Sequence, residues 1–326
     1  MADRIKYSNV QLQKYFDRIA FPSAYRTFSV ADLGPDAQLQ LLLRLLKYQL
    51  ANVPFENLTL HYSWHRVIDV NVDHLYDKVV GERRGGYCME NNSFFHTVLL
   101  SLGYDVYMAG ARVYSPDSSR YGGLSHCLNI VTIGAVRYGI DVGFGSRCPV
   151  APLELIPGKI IPWSDMGYMR LRYDHIPQAL SRKQKVWIYE FRQIGEADWV
   201  PQYCFLDAEF LPEDIRVMNW SPSTSPSSFF TFKILCVTFT TEKVNLTGDI
   251  EQDRKAIQDK EDNGDINGVL ILDGATFKWR RKDGVRWERA LKSDTERLEA
   301  LQAYFGVELT EENKRAIEGT AGAIGP

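Results

Sequence analysis

Residues 83–92 read Arg-Arg-Gly-Gly-Tyr-Cys-Met-Glu-Asn-Asn, and an apolar segment follows them as far as Leu102. The two glycines permit a sharp turn and Gly103 is a typical helix stop, so the segment predicts a helix that begins at Cys88. The partial positive charge at a helix N-terminus favours a thiolate. Cys88 is therefore a candidate nucleophile, although most single cysteines are buried packing residues.

The chain before this stretch has the pattern of packed helices. Apolar residues repeat at helical spacing from Leu12 to Ile19, which predicts a first amphipathic helix. The segments 36–50 and 73–82 predict two more helices, and the first of these is leucine-dense and expected to be buried. Residues 1–103 are therefore predicted to form a helical bundle that carries Cys88.

The periodicity changes after Gly103. β-branched and aromatic residues become frequent, with Gly and Pro between the segments, and this pattern is typical of strands. The predicted strands cover residues 104–114, 125–133, 136–145 and 186–194. Residues 104–220 are therefore predicted to be a β-rich region.

Residues 221–326 are predicted to be a connector followed by a smaller α/β lid. Ser and Pro dominate the connector at 221–228. A strand is expected at 231–241. The charged stretch from Glu242 to Asp265 has little periodicity and is interpreted as a solvated excursion.

The end of the chain carries a predicted hairpin and a predicted helix. The hairpin covers residues 270–278 and turns at Asp273-Gly274. Ser293 opens the helix, with Glu296 three residues later as in a capping box. The predicted fold class is thus α+β and multidomain, with a helical part first, a β-rich part second and a smaller α/β part at the end.

His126 and Asp141 fall on neighbouring predicted strands. If Gly134-Ala135 is the two-residue turn between them, His126 faces Gly143, and Asp141 lies on the same face two residues away. Such a diagonal pair is within reach of a carboxylate–imidazole hydrogen bond. The carboxylate would fix the ring tautomer, and the other ring nitrogen would take the proton of Cys88. The alternative is a histidine and an aspartate on a solvated strand face.

Composition and charge exclude several classes of protein. The 326 residues carry a formal net charge of -3, which gives no basis for binding nucleic acid or an anionic membrane. No apolar run reaches the ~20 residues of a membrane span. The five cysteines contain no C-x-x-C pair, so neither a disulfide framework nor a zinc site is indicated. Without a signal peptide, we expect a cytoplasmic protein with free thiols and no metal.

Together these residues resemble the arylamine N-acetyltransferase family. The resemblance runs through residues 53–58 (Val-Pro-Phe-Glu-Asn-Leu), then 84–92, Ser125-His126 and 141–145 (Asp-Val-Gly-Phe-Gly). The Arg-Gly-Gly-aromatic-Cys run is its most specific part, and the separations that follow it also fit. Long loops and extended middle segments favour a eukaryotic, fungal-like member.

The resemblance implies an N-terminal helical bundle at residues 1–103, a central β-barrel at 104–220, and a connector with a C-terminal α/β lid at 221–326. It also implies an enzyme of xenobiotic metabolism that works by a ping-pong mechanism. Cys88 would take an acyl group from coenzyme A as a thioester, and an aromatic amine or hydrazine would then accept it. His126 would act as base and Asp141 as its orienting partner. Acetyl-CoA is the usual donor and malonyl-CoA is an alternative. Either is a co-substrate, and no cofactor stays bound.

The resemblance also implies further site residues. Phe55 and Phe144 would line the pocket for the aromatic acceptor. Gly143 and Gly145 would lie along the path of CoA, and Ser227 would place a hydroxyl near CoA. The expected partners are small molecules only, and a monomer is the default expectation.

Two other functions stay open at this point. A thiol hydrolase or amidase could use the same Cys-His-Asp triad, because hydrolysis and transfer to an amine share one acyl-enzyme intermediate. An N-malonyltransferase would differ only in its donor. A hydrolase would release CoA without an amine, whereas an acyltransferase needs one. An N-malonyltransferase would prefer malonyl-CoA to acetyl-CoA.

Overall fold

The computed structural model describes residues 4–258, 264–282 and 284–325. The helices in those residues are α1 (Asn9–Arg18), α2 (Pro35–Asn52), α3 (Val72–Tyr76), α4 (Cys88–Leu102), α5 (Pro212–Thr224), α6 (Phe229–Phe232), α7 (Ile250–Gln258), α8 (Asp294–Phe305) and α9 (Glu311–Arg315). Short 3-10 or π turns lie at Ser23–Tyr25, Leu58–Leu60, Asp77–Gly81 and Gly145–Arg147.

The helices of the first hundred residues form as their sequence predicts. Ser8 caps α1 by accepting a hydrogen bond from the Gln11 backbone N–H, and the apolar face of α1 is buried. The leucines of α2 are buried as well. Gly103 ends α4 with a φ of 91°, a left-handed conformation that glycine adopts without steric cost. Apolar residues of α1, α2 and α4 share one core with the barrel.

The strands form two antiparallel sheets. Their bounds are β1 (Phe55–Glu56), β2 (Asp105–Ser115), β3 (Arg120–Ile133), β4 (Val136–Ile140), β5 (Leu153–Glu154), β6 (Ile160–Trp163), β7 (Gly167–Asp174), β8 (Val186–Gln193), β9 (Val200–Phe205), β10 (Leu235–Thr241), β11 (Ile266–Asp273), β12 (Thr276–Arg281) and β13 (Gly284–Ala290).

The larger sheet has eight strands in the order β5-β4-β3-β2-β9-β8-β7-β6. Its edge strand β5 comes into contact with β7 from the other end of the sheet, so the sheet curls into a nearly closed barrel. The predicted hairpin of β3 and β4 is confirmed in register, since Ile133 pairs with Val136 and Asn129 pairs with Ile140. Gly134 occupies its turn with a φ of 60°.

The smaller sheet has the order β1-β10-β11-β12-β13. Its edge strand β1 comes from the N-terminal part of the chain, and Phe55 pairs with Val237 across it. The predicted C-terminal hairpin is confirmed, but its turn lies one residue later than predicted, at Gly274-Ala275 between the paired residues Asp273 and Thr276. The predicted final helix is α8, and the Ser293 side chain caps it by accepting from the Glu296 N–H.

The prediction of a connector at residues 221–228 is wrong for its first half, because α5 continues as far as Thr224. The hydroxyls of Ser223 and Thr224 donate to the carbonyls of Asn219 and Trp220, both at 2.7 Å. These bonds give the backbone carbonyls of the last turn side-chain partners at the end of the helix. The strand expected at 231–241 starts only at Leu235, because α6 precedes it.

The prediction of a solvated excursion from Glu242 to Asp265 is also wrong at its centre, where α7 forms. Asp253 of α7 is 1% exposed. Its carboxylate accepts from the backbone N–H groups of Thr247 and Gly248 and from the Tyr304 hydroxyl. These partners hold α7 against α8. Residues 259–263 of the stretch lie outside the described residues.

Two further properties concern the described residues as a whole. None of their helices is long and apolar enough to cross a membrane. All five cysteines are free thiols, as the sequence predicts, and all are buried.

Candidate active site

The glycines before Cys88 are required by close backbone contacts. A Cβ at Gly85 would lie 1.9 Å from the Pro54 carbonyl oxygen, and one at Gly86 would lie 2.5 Å from Glu90 Cβ. Glu90 Oε2 accepts a hydrogen bond of 3.0 Å from the Tyr87 N–H, which caps the first turn of α4. Cys88 therefore sits at the N-terminus of α4 on a backbone that cannot shift easily.

A buried ion cluster supports the same turn from beneath. Arg84 donates to both carboxylate oxygens of Glu56, at 3.1 and 3.2 Å. Lys78 lies 2.6 Å from Glu90 and 3.7 Å from Glu56. Two cations and two anions thus neutralise one another where burial would penalise an unpaired charge. The charge of Arg84 is thus paired with that of Glu56.

His126 and Asp141 lie side by side, as the sequence predicts, but the predicted strand pairing is not what brings them together. His126 Nε2 lies 2.8 Å from Asp141 Oδ2, and both side chains are about 1% exposed. Strand β4 ends at Ile140, so His126 has no ladder partner at Gly143. Asp141 instead lies in the turn after β4, and that turn brings its carboxylate back to the imidazole.

The electrostatics of this pair are dominated by mutual stabilisation. Burial lowers the pKa of His126, but the charge of Asp141, the hydrogen bond to it and the contact with Cys88 raise that pKa to about 10. Burial raises the pKa of Asp141, yet its partners lower it below its ordinary value. His126 is therefore an imidazolium at neutral pH. Its Nε2 faces Asp141, which leaves Nδ1 as the ring nitrogen available for proton exchange with Cys88.

Asn92 fixes the position of the aspartate. Its Nδ2 donates to Asp141 Oδ1 at 2.9 Å and to the Cys127 carbonyl at 2.8 Å. Its Oδ1 accepts from the Val142 N–H at 3.0 Å. Asn92 thus ties α4, β3 and the turn after β4 together, which is a positioning role rather than contact with a reacting atom.

The turn after β4 also lies directly against Cys88. A Cβ at Gly143 would lie 2.8 Å from both Cys88 Cα and Asn92 Nδ2. Its N–H donates to Asp141 Oδ1 at 2.8 Å. Gly145 has a φ of 69°, a left-handed conformation that favours glycine. Both glycines are therefore needed for the turn to approach the nucleophile.

Two aromatic rings hold the imidazole in place. The ring centroids of Phe144 and Tyr203 lie 5.0 and 4.8 Å from that of His126, and the two rings also contact each other. Tyr203 belongs to β9, and sequence reasoning missed it because nothing in the sequence links β9 to β3. Phe144 was predicted as a site residue, and here it contacts the histidine directly.

A cavity of about 740 Å³ opens in front of Cys88 and His126. Every other predicted site residue except the buried Asp141 lines it, namely Phe55, Gly143, Phe144, Gly145 and Ser227. Asp141 lies behind His126. The lining comes from α4, the barrel, the α5–α6 region and the smaller sheet.

Phe229 and Phe230 also line the cavity, and sequence reasoning missed them. Their signal was the Phe-Phe-Thr-Phe run at 229–232. The predicted connector ended at 228 and the predicted strand began at 231, so Phe229 and Phe230 were assigned to neither. Asn57 anchors this segment, since its Nδ2 donates to the carbonyls of Phe230 and Lys233, both at 2.8 Å.

The remaining cysteines are poor nucleophiles in this structure. Burial raises the pKa of Cys127, Cys148 and Cys236 well above the usual thiol range and that of Cys204 to about 11. None of these four lines the cavity. Cys88 does, with its Sγ 3.6 Å from the Ser125 carbonyl oxygen. The geometry suits nucleophilic attack by Cys88 with proton transfer through His126.

Known proteins are similar in sequence to this chain over most of its length. A family model described as N-acetyltransferase matches residues 38–265. The chain is 35% identical over 338 residues to the N-malonyltransferase FDB2 of Gibberella moniliformis, which covers 96% of this chain and 93% of that protein. It is 29% identical over 255 residues to arylamine N-acetyltransferase 2 of Macaca mulatta, or 72% and 80% of the two chains. Both relatives are eukaryotic, and the first is fungal.

The fold is shared as well. The structure is similar to that of Mycobacterium marinum arylamine N-acetyltransferase in complex with CoA, with a TM-score of 0.71 and 25% identity. The similarity covers 95% of this chain and 99% of that chain. The helices, the barrel and the smaller sheet therefore follow an arrangement already seen in solved structures.

Proposed function

This chain belongs to the arylamine N-acetyltransferase family, and from that premise we propose that it transfers an acyl group from coenzyme A to an aromatic amine or hydrazine through a Cys88 thioester. One observation carries the proposal: a buried Cys88–His126–Asp141 array faces a cavity large enough for both substrates in turn. Family membership makes the protein an acyltransferase. The roles of the individual residues are what we propose.

The first half-reaction transfers the acyl group from acyl-CoA to Cys88. His126 holds the proton, and the Cys88 sulfur attacks the thioester carbonyl carbon of acyl-CoA. The bond from that carbon to the CoA sulfur breaks, and the leaving thiolate takes the proton from His126. The products are free CoA, acyl-Cys88 and a neutral imidazole that Asp141 keeps in the same orientation.

The second half-reaction transfers the acyl group from Cys88 to the amine. The amine nitrogen attacks the acyl carbonyl and gives its proton to His126, while the bond to the Cys88 sulfur breaks. The starting state of Cys88 and His126 is restored. The burial of His126 and Asp141 limits the access of water to the proton-transfer groups, which favours transfer to an amine over hydrolysis.

Aromatic side chains favour an aromatic acceptor. Phe55, Phe144, Phe229 and Phe230 contribute rings to the cavity, and such rings pack against a planar ligand in stacked or edge-on geometry. Gly143, Gly145 and Ser227 are proposed as contacts of CoA, with backbone N–H groups and a hydroxyl as their donors.

Acetyl is the first candidate for the acyl group and malonyl is the second. No lysine or arginine is among the described residues that line the cavity, so His126 is the one basic side chain among them that could pair with a carboxylate on the acyl group, and an uncharged acetyl group needs no such partner. The malonyl group would bring a carboxylate next to His126 and several serine hydroxyls. Similarity to an N-malonyltransferase is the specific observation that keeps this second donor in view.

The test measures CoA release from acetyl-CoA and, in parallel, from malonyl-CoA. Each donor is assayed with and without a simple aromatic amine, on the wild-type protein and on Cys88→Ala. We expect amine-dependent release that vanishes in the variant, and the ratio of rates ranks the donors. Release at the same rate without amine would indicate a hydrolase instead. The monomeric state, the cytoplasmic location and xenobiotic amines as acceptors stay predictions from the sequence.

A further inference from the structure

A line of polar side chains, which we call the polar seam, joins α4 to β3. Its members are Asn92 and His96 of α4 and Cys127 and Asn129 of β3. The two helix residues are four positions apart and the two strand residues are two positions apart, so each pair lies on one face of its element. Asn92, Cys127 and Asn129 are completely buried. Buried polar groups need hydrogen-bond partners, and these residues find them within the seam.

The hydrogen bonds of the seam connect His96 to the catalytic carboxylate. His96 Nδ1 lies 3.1 Å from Asn129 Oδ1. Asn129 Nδ2 donates to the carbonyl oxygen of Asn92 at 3.1 Å. Asn92 Nδ2 donates in turn to Asp141 Oδ1 at 2.9 Å. Two amides therefore lie between His96 and the carboxylate that orients His126.

The protonation of His96 follows from these bonds. Because the Asn129 amide nitrogen donates to Asn92, the Asn129 oxygen faces His96 and accepts from it. The proton of the ring is thus on Nδ1, and the ring is neutral, since burial lowers the pKa of His96 to about 4. His96 also lines a second cavity of about 570 Å³, which Cys88 does not line. A different side chain at this position therefore has room without repacking the core.

The seam acts where the strand ladder ends. Asn129 pairs with Ile140, the last residue of β4, and Asp141 follows directly. Since α4 carries Cys88 and β3 carries His126, the placement of the helix along the strand sets the distance between the sulfur and the imidazole. Apolar packing is non-directional and fixes such a placement weakly. Hydrogen bonds between buried groups are directional and permit fewer arrangements.

Resting on the proposed function, we propose that Asn129 and His96 are positioning residues for acyl transfer, which hold α4 on β3 so that Cys88 and Asp141 keep their positions relative to His126. Neither of the two lines the catalytic cavity. Asn129 acts through Asn92, and His96 acts by keeping the Asn129 amide in the orientation that donates to α4. Without His96 that amide can turn over, and its oxygen would then face the Asn92 carbonyl.

The experiment separates positioning from a general loss of stability. Asn129→Leu keeps the approximate size of the side chain and removes both of its hydrogen bonds. His96→Leu removes the bond at the end of the seam, whereas His96→Gln keeps an N–H that can donate to Asn129. Thr97→Val is the matched control: Thr97 is also on α4 and lines the same cavity as His96, but its hydroxyl donates to the Ser93 carbonyl of α4 itself, at 3.0 Å.

Two properties are measured for the wild type and each variant, with thermal denaturation as the measure of stability. The first is the rate constant of Cys88 acylation as a function of acetyl-CoA concentration. The second is the pH titration of the ¹H NMR resonance of the proton between His126 Nε2 and Asp141, which requires no activity. The other titratable groups around this pair are the same in every variant: Cys88, Cys127, Cys148, Tyr189 and Tyr203.

We expect Asn129→Leu to lower the acylation rate constant at saturating acetyl-CoA roughly tenfold, because small displacements of reacting groups are costly. The acetyl-CoA concentration for half the maximal rate should hardly change. The His126 resonance should titrate at lower pH, since Asp141 is held less firmly. His96→Leu should show the same changes to a smaller degree, and His96→Gln should recover most of them. Thr97→Val should keep the wild-type rate whatever its thermal stability.

Rates that follow thermal stability across all variants, Thr97→Val included, would overturn the positioning role. A His126 resonance that titrates at the wild-type pH in the leucine variants would overturn it as well. If Asn129→Leu does not fold, His96→Leu decides the question. A wild-type protein that acetyl-CoA does not acylate would refute the proposed function, and the NMR titration would still decide the role of the seam.

Discussion

At the scale of single residues, the protonation of His126 is the property on which the chemistry depends. Its imidazole is completely buried, and burial alone would leave it neutral at pH 7. The carboxylate of Asp141 reverses this and raises the His126 pKa to about 10. Asn92 and the N–H of Gly143 hold that carboxylate in place. The charge on the imidazole is thus set by residues that do not touch the substrate.

Asp141→Asn should keep the protein folded and remove most of its activity. The amide can still occupy the site, but it cannot stabilise the imidazolium, and it permits the wrong ring tautomer. We expect kcat/KM to fall by up to about four orders of magnitude. Steady-state kinetics with circular dichroism as the folding control checks this. A rate near that of the wild type would mean that Asp141 does not orient His126.

The pH dependence should show the raised pKa of His126. Because that pKa lies at about 10, the imidazolium persists through neutral pH and is lost as the pH rises through about 10. The rate of Cys88 acylation should fall over the same range, since the proton for the leaving CoA thiolate disappears. The stability that the pair contributes is complete below the unfolded pKa of about 6.5 and is lost in the same alkaline range.

The pH profile is measured as kcat/KM for the acyl donor, with circular dichroism at each pH to exclude unfolding. In Asp141→Asn the alkaline fall should move to lower pH, because the carboxylate that raises the pKa is gone. An alkaline limb at the same pH in both proteins would show that another group controls it.

At the scale of secondary-structure elements, the turn after β4 sets the distance between the nucleophile and its partners. A methyl group at Gly143 would collide with the backbone of Cys88. Gly143→Ala should therefore push the turn away from α4 and lower kcat at least tenfold. Gly123→Ala is the matched control, because a Cβ there meets nothing within 4 Å. Comparable activity in the two variants would show that this close contact is unimportant.

The same turn shows how far sequence reasoning reaches. The register of β3 and β4 follows from a two-residue turn, so the proximity of His126 and Asp141 was predictable. The end of β4 at Ile140 was not, because hydrogen bonds from Asn92 to Asp141 and from Val142 to Asn92 replace the ladder there. Tertiary partners of this kind leave no periodic signal in the sequence.

The α5–α6 region is the other instructive case. Its Ser/Pro composition is typical of a connector, yet α5 runs through Pro222 to Thr224, and the hydroxyls of Ser223 and Thr224 donate to carbonyls of its last turn. Asn57, far away in the sequence, fixes the segment that carries Phe230. The pattern of residues 221–232 alone could therefore not predict the aromatic wall of the cavity.

At the scale of the whole molecule, the site exists only where three parts of the chain meet. The N-terminal helices supply Cys88, the barrel supplies His126, and the smaller sheet supplies Ile271 and Asp273. Strand β1 joins the first part to the third through its pairing with β10. The residue boundaries predicted for the three domains stay a prediction, although α5 runs across the one at residue 220.

A ligand that contacts all three parts should stabilise the whole fold. CoA at about 100 times its dissociation constant should add about 2.7 kcal/mol to the free energy of unfolding. Differential scanning fluorimetry of Cys88→Ala, which cannot form a thioester, should therefore show a higher Tm with CoA. Pantetheine at the same concentration serves as the control and should give a smaller shift. An unchanged Tm at saturating CoA would contradict binding at this site.

The most direct test of the account is intact-protein mass spectrometry after mixing with acetyl-CoA in the absence of any amine. We predict that the wild-type protein gains the mass of one acetyl group, that Cys88→Ala gains none, and that an added aromatic amine removes the group from the wild type. An unmodified wild-type protein, or an equal gain of mass in Cys88→Ala, would contradict the central role assigned to Cys88.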